Sequence, residues 1–333
     1  MNSKYKIIFF LILFIGYSIF NAQADEDFNN WLSSYKEFAV KNGVSEKTIH
    51  VAFKNVKFLD QVIKYDRKQP EFYEDTTTYV NKRANKLRAI NAKILLKRNA
   101  ALFNEVEKKF LVEKEILLAL WGIETNFGKH VGKMDIISCL ATLSYDKRRR
   151  DFFSSQLLTL LKLIDKNLVD PESLYGSWAG AYGNFQFMPS TIKSFAIDYD
   201  NNKKIELKSS LEDSVASAAN YINKIGWKKN QPCFYRVKLN NKIKMKFINY
   251  SARKIKNRLK ISDWTKKGVV NYDGSNLKTN LKAALVLPDL AFENGTIDSP
   301  AFLVFANYEK ILKWNRSLRF GISVCSLANM IKT

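Results

Sequence analysis

The chain has 333 residues, of which 46% are hydrophobic and 26% charged, proportions of a globular protein with one large domain or two to three smaller ones around a sizeable core. Its formal net charge of +22 admits either an anionic partner (nucleic acid, anionic lipid or acidic cell wall) or a lysine-rich bias spread over solvated faces. Only two histidines, His50 and His130, are present, which excludes a three-histidine zinc site and leaves little room for a Ser–His or Cys–His nucleophile, so any catalysis leans on carboxylates.

The first predicted element is a signal peptide over residues 1–24. Lys4 and Lys6 supply the positive start, Ile7 to Phe20 an apolar run short for a membrane span, and Ala22-Gln23-Ala24 a small-x-small cleavage pattern before Asp25. Export to the periplasm is the expectation, and an uncleaved N-terminal anchor the alternative. No later segment is long and apolar enough to span a bilayer. A helical lobe is expected over residues 25–110: Trp31, Tyr35, Phe38 and Ala39 recur at helical spacing, and Tyr79 to Phe110 is rich in helix formers. A core over 111–230 begins with a helix from Glu113 to Phe127, continues through helices marked by Ile136, Ile137, Leu140 and Leu143 and by Phe152 to Ile164, and reaches Asp170-Pro171, which reads as an N-cap with proline at the first helical position. Ser209 to Ile225 is again helical.

After Trp227 the period changes to two. Tyr235, Val237 and Leu239 alternate with cations, as do Ile243, Met245 and Phe247, which predicts half-buried strands. Ala283–Leu287 and Phe302–Phe305 complete a small β-rich lobe over 231–305. Tyr308 to Ile331 is expected as one closing helix that packs back on the core. The fold class is α+β, mostly α. Three cysteines are too few for a disulfide framework; at most one pair forms, and Cys139 and Cys325, in apolar surroundings, read as small buried hydrophobes.

Glu124 interrupts the strongly apolar stretch ALWGIETNFG. On a helix Leu117, Trp121 and Glu124 share one face at i, i+4 and i+7. A carboxyl against an indole and leucines loses hydration, which disfavours its charged form, so it is expected to titrate high. A proton held near neutral pH is what a general acid for glycosidic cleavage needs; a structural acid with a backbone or arginine partner is the alternative. Further on, GSWAGAYGNFQFMPS (Gly176–Ser190) combines three glycines, two alanines and four aromatics with Ser177, Asn184 and Gln186. Small residues let a ligand approach the backbone, aromatic faces suit sugar rings, and hydroxyl and amide groups read sugar hydroxyls. A tight, well-packed turn would use the same residues.

Five stretches in order, WGIETNFG, LATLSYDKRRRDFF, GSWAGAYGNFQFMPS, SAANYINKIGW and ILKWNRSLRFGISV, resemble the lytic murein transglycosylase B family over nearly the whole expected mature chain. The resemblance implies a lysozyme-like catalytic core at 111–230 with a helical lobe and a small β lobe. It also implies cleavage of peptidoglycan glycan strands between MurNAc and GlcNAc without net hydrolysis, leaving 1,6-anhydro-MurNAc ends. By the same resemblance Glu124 is the sole catalytic acid/base, and Ser177 and Gln186 line the glycan cleft. Arg148 and Arg149 stand beside it, Tyr79 lies on the helix that supplies a cleft tyrosine, and Asn315 faces the acid. Phe320 departs from the family's tyrosine and removes a hydroxyl; Phe152 is a similar loss, and Tyr182 replaces a methionine.

Some members carry an EF-hand-like calcium loop where this chain has DYDNNKKIE. Here Asp198, Asp200 and Asn202 keep the opening ligand spacing, but Lys203 stands at the glycine turn, so a loop without metal is expected and no cofactor is implied. The implied partner is the peptidoglycan glycan strand. No nucleic-acid motif is present, and the oligomeric state is open, a monomer being the simplest expectation. A hydrolytic muramidase and a non-catalytic peptidoglycan-binding protein are the rival functions.

Overall fold

The computed structural model describes residues 26–68, 74–240, 243–275, 277, 279–291 and 299–333. The expected signal peptide lies outside them. In chain order the helices are α1 (26–41), α2 (Glu46–Ala52), α3 (Asp60–Arg67), α4 (Thr76–Arg83), α5 (Lys86–Arg98), α6 (Ala100–Phe110), α7 (Lys114–Thr125), α8 (Ile136–Tyr145), α9 (Arg150–Asp165), α10 (Pro189–Phe195), α11 (Leu211–Lys224), α12 (Ile261–Lys266), α13 (Ala306–Trp314) and α14 (Leu318–Lys332). The strands are β1 (Met134–Asp135), β2 (Tyr175–Gly176), β3 (Phe234–Leu239), β4 (Ile248–Asn249), β5 (Leu259–Lys260), β6 (Val269–Asn271), β7 (Lys282–Val286) and β8 (Ala301–Val304). Side-chain N-caps start many of these helices: Ser45 accepts from Thr48 N, Asp75 from Thr78 N, Asn85 from Arg88 N, Asp135 from Ser138 N and Ser210 from Asp213 N. Asp170 caps only a single 3₁₀ turn, Pro171–Ser173, rather than an α-helix.

The described chain forms two compact units. The first takes residues up to Arg67, Gly132–Tyr182 and Phe187–Lys193; the second takes Lys68–Val131, Gly183–Gln186 and Ser194 onward. In the first unit α8 packs along α9, and α8 is buried from Ile136 to Ser144. Phe28 and Trp31 of α1 join Phe58 and Tyr145 in an aromatic cluster with ring centroids 5.4–5.9 Å apart, and the Tyr35 hydroxyl donates to Ser154 O at 2.7 Å. Cys139 is a free, buried thiol, as expected.

In the second unit α7 packs on α14, and every residue from Ile116 to Gly122 is buried. The sheet runs β4-β7-β8-β3-β6, with β5 also pairing to β7; among the described residues its pairs are antiparallel except β4–β7, which is parallel. Leu285, Leu287, Leu303 and Phe305 gather with Ile261 and Trp264 in its core, and Trp264 donates its indole N–H to Ala283 O at 2.8 Å.

Three expectations are corrected here. Ile243–Phe247 is not a strand: Met245–Phe247 is a 3₁₀ turn, and only Ile248–Asn249 reach the sheet. The edge of β7 explains this, because β5 already occupies Ala283 and Lys282, leaving only Leu285 and Val286 for β4. The closing helix is two helices, since Asn315 leaves helical geometry and Ser317 caps α14 by accepting from Phe320 N. Cys325 is not an isolated small hydrophobe but is disulfide-bonded to Cys233, which ties α14 to the start of β3.

Candidate functional site

Glu124 sits in the last turn of α7, half-buried, below the fully covered Leu117 and the nearly covered Trp121. Its Oε1 accepts a hydrogen bond from Trp314 Nε1 at 2.9 Å. Trp314 is held by its neighbours: its ring stacks on Tyr221 at 5.0 Å, which stacks on Phe195 at 4.4 Å, and Phe185 meets its edge at 6.3 Å. Tyr221 is fixed in turn by its hydroxyl, which donates to Lys313 O at 3.0 Å. An acid is thus set in an aromatic wall, with a neutral N–H donor aimed at one oxygen. Such a donor suits a group that must alternate between carboxyl and carboxylate, because it favours the anion without adding a fixed charge. Sequence reasoning passed over Trp314; the available signal was its adjacency to Asn315 in KWNRS.

The end of α7 is fixed by an uncommon backbone. Asn126, Phe127 and Gly128 take φ of +50°, +60° and +80° in succession, a left-handed run that is costly for a bulky residue such as Phe127. The packing compensates. The Phe127 ring lies edge-on to Trp121 at 5.6 Å and covers Gly122 so closely that a Cβ there would stand 2.8 Å from Phe127 Cζ. Thr125 Oγ1 donates to Asn184 O at 2.8 Å and accepts from Gly128 N at 3.0 Å.

Asn184 belongs to this scaffold. Its Oδ1 accepts from Trp121 Nε1 at 3.1 Å, and its Nδ2 faces Leu207 O, Lys208 O and Ser214 Oγ at 3.2–3.3 Å. This buried amide is spent internally, so it does not read a sugar. The glycines of the same motif likewise admit the protein itself rather than a ligand. A Cβ on Gly183 would lie 2.4 Å from Leu207 O, and one on Gly176 2.2 Å from Ala181 O.

Of the other candidate residues in the second unit, Gln186 is half-buried with φ +50°, its Nε2 donating to Val131 O at 3.1 Å and Gly183 O at 3.0 Å. Asn315 follows Trp314 directly at the C-cap of α13. Tyr79 is only 1% exposed, with the Arg83 guanidinium 3.5 Å from its ring centroid, and Phe320 is buried in the first turn of α14. In the first unit Ser177 Oγ accepts from Ala181 N at 3.0 Å and closes a tight turn. Arg148 donates through Nε to the buried Asp66 carboxylate at 2.6 Å and through Nη2 to Asp66 O at 3.0 Å. Arg149 lies 3.7 Å from the same carboxylate and 4.8 Å from the centroids of Phe152 and Phe153. The arginine pair is therefore partly neutralised by Asp66, a partner that sequence reasoning did not find.

The acidic loop brings carboxylate oxygens of Asp198, Asp200 and Asp213 within 4.8 Å of one another. These are the hard donors calcium uses, but the loop's own backbone engages them. Asp198 accepts from Asn202 N and Lys203 N at 3.1 and 2.8 Å, and Asp213 from Tyr199 N and Glu206 N at 2.7 and 2.8 Å. Asn202 Oδ1 accepts from Lys204 N at 2.9 Å. Lys203 takes the left-handed turn with φ +71°, and burial pushes the Asp213 carboxyl up despite its backbone donors.

Over residues 27–329 the sequence matches the family described as Transglycosylase SLT domain. It is 39% identical over 127 residues to Membrane-bound lytic murein transglycosylase B of Escherichia coli (strain K12), a stretch covering 38% of this chain and 35% of that relative. The match thus spans about a third of that relative's length. Among solved structures, SltB3 from Pseudomonas aeruginosa in complex with NAG-NAM-pentapeptide superposes with a TM-score of 0.82 at 32% identity, covering 92% of this chain and 79% of that one. The Escherichia coli lytic transglycosylase Slt35 in complex with bulgecin A gives 0.74 at 25% identity, covering 90% and 92%. The architecture is that of these proteins: lysozyme-like, mostly helical, with a small sheet.

Proposed function

The chain belongs to the transglycosylase SLT domain family, and on that premise we propose that it is a lytic transglycosylase that cuts the MurNAc–GlcNAc β-1,4 bond of peptidoglycan and leaves 1,6-anhydro-MurNAc ends, with Glu124 as sole general acid and base. The observation that carries this reading is the half-buried Glu124 carboxyl with Trp314 Nε1 on its Oε1 at 2.9 Å. Protonated, Glu124 gives its proton to the glycosidic oxygen as the C1–O bond breaks. Trp314 then donates to a full carboxylate, a stronger bond than to the neutral acid, so it favours the charge-separated state. The substrate's own 2-acetamido group eases positive charge at C1, a known alternative to a second carboxylate. Glu124 next takes the proton of the MurNAc C6 hydroxyl as that oxygen attacks C1, which restores the acid. An intramolecular nucleophile outcompetes water through its high effective molarity.

Gln186 and Ser177 are the polar side chains we assign to glycan hydroxyls, with Asn315 beside the acid's donor. Arg148, Arg149, Tyr79 and Phe320 are kept as lesser contributors, given how each is covered or paired. We assign no metal to the reaction and place the enzyme in the periplasm. Among the described residues no helix is long and apolar enough to cross a membrane.

Mass spectrometry of fragments released from purified peptidoglycan tests the reading. Anhydro ends support it, reducing ends would make the enzyme a hydrolytic muramidase, and no release with retained binding would make it a non-catalytic wall binder.

A further inference from the structure

In the second unit the fold gathers six cations that are dispersed along the sequence. A groove of about 510 Å³ between α13 and the 252–258 segment collects Arg253, Lys254, Arg258, Lys310, Lys313 and Arg316 around a floor that includes Ile255 and Leu312. One carboxylate lies among these six cations: Glu309, which is paired with Arg258. The segment carrying the first three cations is built rather than loose. The buried Asn249 accepts from Lys256 N at 2.8 Å and donates to Lys256 O at 3.0 Å and Leu285 O at 2.9 Å, which fixes the turn against β7. The cluster works against itself. Burial, followed by the charges of Lys313, Lys228 and Arg258, pulls the Lys310 ammonium below the ordinary lysine range, a cost that a bound polyanion relieves.

We propose that this groove takes the carboxylate-bearing peptide carried by the glycan, so that the enzyme recognises peptide-substituted strands and not naked ones. The inference rests on the peptidoglycan reading above. Position supports a peptide as the occupant. α13 ends at Trp314, the donor to Glu124, and Lys310 lies one turn earlier, about 6 Å along the helix axis. A peptide joined to the sugar through its lactyl ether begins next to the cleaved bond, and three or four extended residues span roughly 10–14 Å. Its carboxylates are spaced along a chain, which suits cations distributed along a groove. The other arginine pair, Arg148 and Arg149, is engaged by Asp66 and offers less charge to such a ligand.

The test compares the wild-type mature chain with the double variant Lys254→Gln/Lys310→Gln. The substrates are peptide-bearing glycan and the same glycan stripped of peptide by an amidase. The double variant is expected to cut peptide-bearing chains with kcat/KM reduced about five- to tenfold, as for loss of two charge contacts, one exposed and one half-buried, while cutting stripped chains as the wild type does. The wild-type preference for peptide-bearing chains should shrink as salt is raised. Equal loss on both substrates, or loss on neither, would overturn the assignment. So would unchanged cleavage of both with lost binding to phosphatidylglycerol vesicles, which would make the groove a membrane contact. If the wild type cuts neither glycan yet binds the peptide-bearing one more tightly, and the double variant loses that margin, the groove assignment stands and the lytic reading fails.

Discussion

Trp314 Nε1 donates to Glu124 Oε1 across 190 residues of sequence, joining the C-terminal end of α13 to that of α7. The pairing depends on the break after Trp314, since Ser317 restarts the chain as α14. Trp314→Phe removes the N–H and keeps a ring to stack on Tyr221. Hydrogen bonds to charged groups are worth about 1.5–3 kcal/mol, so release of muropeptides should fall about 10- to 100-fold with a melting temperature close to wild type. Unchanged release would mean that the bond is incidental to the chemistry.

Gly122 is required by the ring above it. Gly122→Ala places a methyl 2.8 Å from Phe127 Cζ and 2.9 Å from Cε1. Phe127 is held in a left-handed conformation and cannot give way easily, so overpacking should destabilise the protein by about 1–3 kcal/mol and shift the end of α7 that carries Glu124. Chemical denaturation of the purified variant measures this; a midpoint equal to wild type would show that the ring simply moves aside.

Much of the helical scaffold was legible in the sequence. The apolar run before Glu124, the helices around Ile136–Leu143 and from Ser209, and the strands at Tyr235–Leu239 and Ala283–Leu287 follow from local pattern. What escaped depends on partners distant in sequence. Ile243–Phe247 alternates like a strand but finds β5 already on the edge it would need. Trp314 looked like one more helical aromatic because Tyr308 to Ile331 reads as continuous, although Ser317 was a visible cap. Asn184 looked like a sugar reader until Trp121 and Ser214 were seen to consume its amide. Three cysteines allow three pairings, and nothing local selects Cys233 with Cys325. The cationic groove joins residues about 60 positions apart, so no basic run announces it.

The disulfide closes a sequence separation of 92 residues. Restricting so long a loop in the unfolded chain is worth about 2–5 kcal/mol. Cys233→Ser should therefore lower the melting temperature, and reductant should do the same to wild type but not to the variant. Equal melting of the two oxidised proteins would show that the bridge contributes nothing to stability.

Calcium should leave the enzyme unchanged. Asp198 and Asp213 are already engaged by backbone N–H groups, and Lys203 and Lys204 add repulsion beside them. Melting with millimolar calcium and with a chelator should coincide. A rise of several degrees with calcium that Asp198→Ala abolishes would establish a site.

The account turns on Glu124 as the one group that both gives and recovers the proton. Glu124→Gln preserves the volume beside Leu117 and Trp121 and an oxygen for Trp314 Nε1, but it can neither deliver nor take back a proton. General acid–base catalysis is typically worth about 10²–10⁴-fold, and in the proposed reaction one residue performs both halves. The decisive measurement is release of 1,6-anhydro-muropeptides by wild type and variant, paired with thermal melting of both. The account predicts release reduced to the upper end of that range or beyond, with glycan binding retained and a melting temperature unchanged or slightly higher. Near-wild-type release with a lowered melting temperature would contradict it and make Glu124 a structural acid.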